Sequence, residues 1–461
     1  MIVENQLRVL VFGVSLVISF STAWAQAPCP SPRFNQIPPS FQDVQISQGP
    51  NDKLHPDIVV DPFNPPGGQG SVYVVWWELV GPTSSDVMFS SSTTGGQTWS
   101  TATKINTLGI ENVRPKIAVD QNCTADGRIW VVWHNKPSIS SPESRIKASL
   151  SFDGGMNWSS TEATVDPTAP FPVQQVEAVI TVSGASAWIS WQDDRNQIVG
   201  PSTFDIFLSC AIAPPIPPLS PNFSLPVLLN DRPGERFLQA LDLDVPVPVN
   251  NLASPDIHVA WQSLGDSPDN TLFSSSDAYC IDPPPAEIVV PTNGLSVTRQ
   301  LPSLESFRSI VAIVYADGSW SPSEIAITYQ YSTTLGAVWG PEIQLDPTWA
   351  AGINQSAPDI TMTYPDVNSP WACDAFPFVS PKLYASWEDD RNNPLGPRDL
   401  NISCNDGNTT PWSAPATVND TLGGLGAGTS QAIAGDVLRN DVYAVWRDNQ
   451  NPPQIWVDRG Q

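Results

Sequence analysis

Arg114, Arg236 and Arg299 each stand near the start of an apolar segment of the same kind, and His55 opens the first segment of that series. Three guanidiniums converging on one channel would clamp a carboxylate, because the planar fork donates paired hydrogen bonds. The commoner use of an arginine is a local ion pair or a loop cap, and that alternative stands beside the first. A second series is acidic. Two residues after a recurring aromatic come Glu78, Asn135, Asp193, Ser263, Asp317, Asp389 and Asp448. Such a ring of carboxylates would coordinate Ca2+ through hard oxygen ligands, or supply the acid and base of a glycoside hydrolysis. Repetition at equivalent places favours scaffolding instead. On that alternative Arg195, in Trp191-Gln192-Asp193-Asp194-Arg195-Asn196, pairs with Asp205, and Arg391, in the matching phrase from Trp387, pairs with Asp399.

The elements that must position these residues repeat along the chain. Val72-Tyr73-Val74-Val75-Trp76 is echoed by segments ending at Trp133, Trp191, Trp261, Tyr315, Trp387 and Trp446, with steps of 54 to 72 residues. Both faces of this strand are apolar, as in a sheet sandwiched between two neighbours. The spacing suits four short strands and their loops in each unit. An inner strand such as 56–61 precedes the aromatic strand. A third strand such as 86–90 follows it, and an outer strand such as 102–106 completes the unit.

Between the third and outer strands lies a recurring turn. Ser151-Phe152-Asp153-Gly154-Gly155-Met156-Asn157-Trp158 has the frame of Ser92-Thr93-Thr94-Gly95-Gly96-Gln97-Thr98-Trp99 and of Ser332-Thr333-Thr334-Leu335-Gly336-Ala337-Val338-Trp339. A looser copy runs over 403–412. Asp or Thr at the third place accepts backbone N–H groups, Gly supplies positive φ, and Trp folds back as an apolar plug. This turn resembles the Asp-box, or BNR repeat, of the sialidase-like β-propellers. The resemblance implies an all-β propeller, and the seven repeated units make it seven-bladed, of four-stranded antiparallel blades, with the six blades typical of sialidases as the alternative if 235–290 or 299–345 is not a true blade. The last unit lacks an outer strand, and the N-terminal segment around Val44-Gln45-Ile46 is expected to supply it and close the ring.

In the resembled family the Asp-box lies far from the active site, so the turn speaks to fold and not to activity. Those sialidases clamp their substrate's carboxylate with three arginines, the role that Arg114, Arg236 and Arg299 would fill here. They also use a Tyr–Glu nucleophile pair and an Asp acid/base. Tyr329, Tyr331, Tyr364 and Glu305 have no matching context, and the nucleophile stays unassigned. No G-x-S-x-G elbow and no metal-type spacing of His55, His134 and His258 is present. Trp349 and Trp371 are loop aromatics of a kind that stacks on sugar rings.

Composition bounds the partners. Lys and Arg number 21 against 46 Asp and Glu, a net charge of −25, which excludes nucleic acid and an anionic membrane surface. Residues 1–25 read as a signal peptide: Arg8, an apolar core over 9–20, and Ala23-Trp24-Ala25 as the cleavage site. That core is too short to span a bilayer, and no later run spans one. A secreted, periplasmic or cell-surface chain follows, with an N-terminal extension over 26–40 and one propeller domain over 41–461. The six cysteines suit an oxidising compartment, with Cys210–Cys280, Cys373–Cys404 and Cys29–Cys123 as the preferred pairs. The expected function is binding of a glycan or another extracellular ligand on the face bearing His55 and Arg114. An exo-acting glycoside hydrolase of sialidase type and a structural or adhesive surface protein are the alternatives.

Overall fold

The computed structural model describes residues 34, 43–64, 70–107, 110–120, 127–138, 141–196, 204–212, 221–230, 236–244, 256–263, 270–277, 288–290, 299–307, 310–321, 324–334, 337–350, 352–363, 381–391, 398–405, 411–419, 431–436, 439–448 and 450–460. For 212, 236–244, 256, 263, 270–277, 288–289, 299, 307, 319–321 and 324 only the backbone is described. The signal peptide, Cys29, Cys123, Cys280, Cys373, Gly336, Tyr364 and Trp371 lie outside the described residues. Cys404 is disulfide-bonded, whereas Cys210 is not, which overturns the expected Cys210–Cys280 pair.

The chain is an all-β propeller. Among the described residues there is no helix, and none long and apolar enough to cross a membrane. The strands form antiparallel sheets that repeat one order. In the first sheet Lys53–Asp61 is innermost, followed outward by Ser71–Gly81, Ser84–Ser92 and Thr103–Lys104. The same order starts again from Glu111–Val119, Gln175–Ser183, Arg236–Asp244, Arg299–Phe307, Gln355–Thr363 and Gln431–Asp436, giving seven sheets among the described residues. The third sheet splits its outer strand into Asn222–Phe223 and Val227–Leu228. In the last sheet Val44–Gln45 is the outer strand, with Val44 opposite Val457 and Gln45 opposite Trp456.

Side chains on both faces of the middle strands explain why the sheets stack. Trp76, Trp133, Trp191, Trp261, Tyr315 and Trp387 are fully buried. The apolar clusters lie between sheets and not within them. One joins Val75 and Phe89 to Ile117 and Trp133; another joins Trp130 and Val132 to Ile180 and Trp191. A further cluster joins Ile58 and Trp76 of the first sheet to Tyr443 and Val457 of the last. Phe34 wedges into the crevice between the last two sheets, beside Tyr384, Leu400 and Trp446.

The recurring turn has the hydrogen bonds its sequence implies. Asn157 N donates to Asp153 Oδ1 at 2.8 Å, and Gly155 N donates to Ser151 Oγ at 2.9 Å. Thr98 N donates to Thr94 Oγ1, and Val338 N to Thr334 Oγ1, each at 2.8 Å. Ser92 and Ser332 play the part of Ser151 in receiving the Thr94 and Thr334 amides. The plug reaches the preceding sheet: Trp158 meets Phe89 edge-on at 5.1 Å, and Trp412 meets Tyr329 in the same way. Trp99 lies against the cluster between the last and first sheets, and Trp339 in the one between the fourth and fifth. Gly155 is fixed by that packing, since φ is +88° and an added Cβ would stand 2.2 Å from the Phe89 ring. Gly155→Ala is expected to cost about 2–3 kcal/mol through backbone strain and overpacking. Urea denaturation checks this, and an unchanged midpoint would refute it.

Candidate functional site

Six inner strands carry the same irregularity. The register slips between Leu54 and Asp57, Val113 and Lys116, Val176 and Val179, Phe237 and Ala240, Gln300 and Ser303, and Ser356 and Asp359. Each slip is a β-bulge, which re-aims a side chain at the cost of ladder bonds. Five of the bulge residues have left-handed backbones although none is glycine: His55, Arg114, Glu177, Leu301 and Ala357, with φ between 46° and 55°. Pro56, Pro115, Pro302 and Pro358 follow four of them. A bulge tolerates proline, which has no N–H to give to a ladder.

Five of these bulges border a cavity of about 370 Å3 where the inner strands meet. Its rim carries His55, Arg114, Glu177, Leu301 and Ala357. Two residues further along the strands come Asp57, Lys116, Val179, Ser303 and Asp359, and Glu305 lies beyond Ser303. His55 stacks on Trp77 with centroids 6.1 Å apart, and Arg114 pairs with Glu177 across the rim.

Below the rim, carboxylates staple together strands that share no backbone ladder. Asp57 accepts from Lys116 Nζ and from the Ile117 amide, both at 2.9 Å. Asp359 accepts from Ser303 Oγ at 2.7 Å and from the Ile433 amide at 2.9 Å. Gln431 Nε2 donates to the Ala357 carbonyl at 2.6 Å. Burial works against charge on Lys116, yet Asp57 and Asp359 together raise its pKa and hold it as an ammonium. Burial raises the Asp359 carboxyl, with Lys116 opposing.

Of the expected clamp, His55 and Arg114 border the cavity. The backbone register gives the other two arginines a different level along their strands. Arg236 stands opposite Ser263 and Arg299 opposite Asp317, the level that Gln175 and Gln355 hold opposite Asp193 and Asp389. Both precede their bulges, so Leu238 and Leu301 occupy the register places that match Arg114. Aligning strand starts misses this offset, because the bulge adds a residue that the apolar pattern does not reveal. Among the described residues no tyrosine borders the cavity. Tyr329 is buried beside Tyr331 and Trp412. Trp349 binds the Ile353 carbonyl through its indole N–H.

The aspartates of the acidic series lie inside the scaffold. Asp193, Asp389 and Asp448 are buried. Asp193 accepts from Trp191 Nε1, Gln175 Nε2 and Arg195 Nε at 3.2, 3.0 and 2.9 Å. Asp389 accepts from Trp387 Nε1, Gln355 Nε2 and Arg391 Nε at 3.3, 3.2 and 2.9 Å. Asp448 accepts from Trp456 Nε1 at 2.8 Å and the Gln454 amide at 2.7 Å. Among the described residues no group of three or more His, Cys, Asp or Glu side chains is arranged to hold a metal ion.

The expected arginine partners are corrected. Arg195 pairs with Asp193 and Asp166, and Arg391 with Asp389 and Asp346, whereas Asp205 is bound by Asn196 and Asn230 and Asp399 by Asn419. The loop is thus tied back to the sheet before it. The overlooked signal is a second repeated phrase, Asp166-Pro167-Thr168 and Asp346-Pro347-Thr348, each followed nine residues after its Asp by Gln175 or Gln355. Thr168 and Thr348 give Oγ1 hydrogen bonds of 2.7 Å to those aspartates.

Two histidines make folding pH-dependent. Burial lowers His134 to about 3, with Lys136 and Arg114 adding in the same sense, and burial lowers His258 to about 4. Both are neutral when folded, while the unfolded chain takes up protons below its ordinary value near 6.5. Their contribution is therefore complete above about pH 6.5 and lost as pH falls to about 4 for His258 and about 3 for His134, with a slope of up to about 1.4 kcal/mol per pH unit for each histidine. Denaturant midpoints should decline over that window, and His258→Gln should flatten the decline. A flat wild-type profile would refute it.

No family model matches the chain, and no curated protein matches it. Solved structures do. The chain is similar to an α-L-arabinofuranosidase of Fusarium graminearum solved with an iminosugar inhibitor, at 12% identity and TM-score 0.48, covering 91% of this chain and 98% of that one. An α-L-arabinanase of Penicillium chrysogenum with arabinobiose is similar at 11% and 0.46, covering 92% and 98%. Trypanosoma rangeli sialidase is similar at 12% and 0.44, covering 78% of this chain and 56% of its own length. At these identities the likeness is one of fold.

Proposed function

We propose that this chain is an exported β-propeller that binds a glycan at its axial cavity. The observation that carries the reading is the ring of strained bulge residues, His55, Arg114, Glu177, Leu301 and Ala357, set around one open-mouthed cavity. Non-glycine residues in the left-handed region cost roughly 1 kcal/mol or more each, and such strain concentrates where a ligand is held. A pre-formed concave site with a few convergent polar groups is the usual form of a small-molecule pocket. The ring is read as seven blades, closed by Val44–Gln45 against the C-terminal strand. The pairing of those strands and the cluster between first and last sheets support this. Export rests on residues 1–25 and on cysteine usage, with Cys373 as the proposed partner of Cys404 and Cys29–Cys123 as another pair.

One observation favours hydrolysis as a second reading: Asp57, Glu177, Glu305 and Asp359 bring several carboxylates to one cavity, as an acid/base pair requires. A glycan array with the purified mature chain, beside turnover assays on fluorogenic α-sialoside and α-L-arabinofuranoside, separates the two. Binding without turnover is the expected result. Turnover lost in Glu305→Gln would establish the hydrolase instead, and neither binding nor turnover would leave the structural or adhesive role.

A further inference from the structure

The cavity is unequal in charge and in polarity. Among the described residues four carboxylates border it, Asp57, Glu177, Glu305 and Asp359, against two cations, Arg114 and Lys116. Arg114 is engaged by Glu177, and Lys116 lies between Asp57 and the charge of Asp359. An anionic sugar would compete with Glu177 for Arg114 and bring its charge towards an acidic interior. The cavity walls strengthen that repulsion by focusing the field, and the chain's net charge of −25 acts in the same sense. A metal ion is a poor alternative occupant, because no metal-holding group of side chains occurs among the described residues and an ammonium already lies beside Asp57.

The rim is two-sided as well. Blades one to three present His55, Arg114 and Glu177, whereas Leu301, Pro302, Ala357 and Pro358 form an apolar arc. A pyranose has the matching form, with C–H groups on a face and polar groups at the edge.

We infer that the cavity takes a cationic ligand, and, resting on the glycan reading, that this ligand is a sugar carrying a free amino group. The C–H face would lie on the Leu301 and Ala357 arc, with the ammonium directed towards Asp359 and Glu305. This class is opposite in charge to the sialosides that the arginine-clamp expectation would have called for.

Isothermal titration at near-physiological salt tests this with four probes: the free-amine disaccharide chitobiose as glucosamine dimer, its di-N-acetylated form, 3′-sialyllactose, and spermidine as an amine that is not a sugar. The glucosamine dimer is expected to bind at least about tenfold more tightly than either other saccharide. Glu305→Gln and Leu301→Arg should each remove most of that preference, the second by placing a cation at the rim. Equal or tighter binding of the acetylated dimer or of sialyllactose overturns the inference while leaving a glycan-binding cavity. A preference unchanged in both variants also overturns it, since attraction to the acidic surface alone would then explain the data. Binding of spermidine with no saccharide bound overturns the glycan reading and retains a cationic ligand. No binding by any probe overturns both.

Discussion

Asp389→Ala is expected to destabilise the folded chain by about 3–5 kcal/mol, the usual cost of breaking a buried ion pair from one side. The carboxylate is fully buried and receives donors from the Trp387 indole, the Gln355 amide and the Arg391 guanidinium. Its removal leaves Arg391 with Asp346 and Thr348 Oγ1, takes the acceptor of the Trp387 indole N–H, and leaves Gln355 Nε2 only its bond to Asp346. Each such donor carries its own desolvation cost. The carboxylate also joins three elements, an inner strand, a middle strand and the Asp346 turn of the sheet before it, so its loss acts on the contact between blades. The shift in urea midpoint measures the effect. Arg391→Met added to Asp389→Ala should recover part of the loss, because the stranded cation goes with its partner. A single mutant within 1 kcal/mol of wild type, on the scale expected of exposed pairs, would contradict the network.

Trp133→Ala should be of similar size, about 3–5 kcal/mol for a fully buried aromatic. Trp133 packs with Val75 and Phe89 of the first sheet and Ile117 of its own, so the cavity left behind would open between two blades. Its indole N–H also donates to Asn112 Oδ1 at 2.9 Å, the oxygen that receives Asn135 at 2.8 Å. Trp133→Phe retains most of the packing and loses the donor, and about 1–2 kcal/mol of loss is expected for it. Equal losses in the two variants would mean that the hydrogen bond, not the volume, carries the effect.

The scaffold was legible because it repeats. Seven aromatic anchors and the Ser-x-Asp/Thr-x-Gly-x-x-Trp turn each report a local rule: two apolar faces for a stacked strand, and a side-chain acceptor with positive φ for the turn. Both rules depend on near neighbours in sequence, and Asp153, Thr94 and Thr334 make the turn bonds expected of them. The site was less legible because it depends on register. Aligning strand starts brings out His55 and Arg114. It does not bring out Glu177, Leu301 and Ala357, since a bulge shifts the inward position and only the neighbouring strand reveals the slip. The aspartates of the acidic series carry no mark in their own phrase that separates an open ligand from a buried acceptor. That distinction lies in Gln175 and Gln355, in another part of each unit, and in the Asp-Pro-Thr turns that bring Asp166 and Asp346 to the same arginines.

The central claim is that ligand enters the axial cavity past the bulge ring. The most direct test is titration of the best saccharide from the array into Leu301→Trp, whose indole would fill the rim while leaving the scaffold contacts intact. The account expects affinity to fall by at least about tenfold with the thermal midpoint close to wild type. Undiminished affinity in a folded Leu301→Trp chain would place the ligand elsewhere and contradict it.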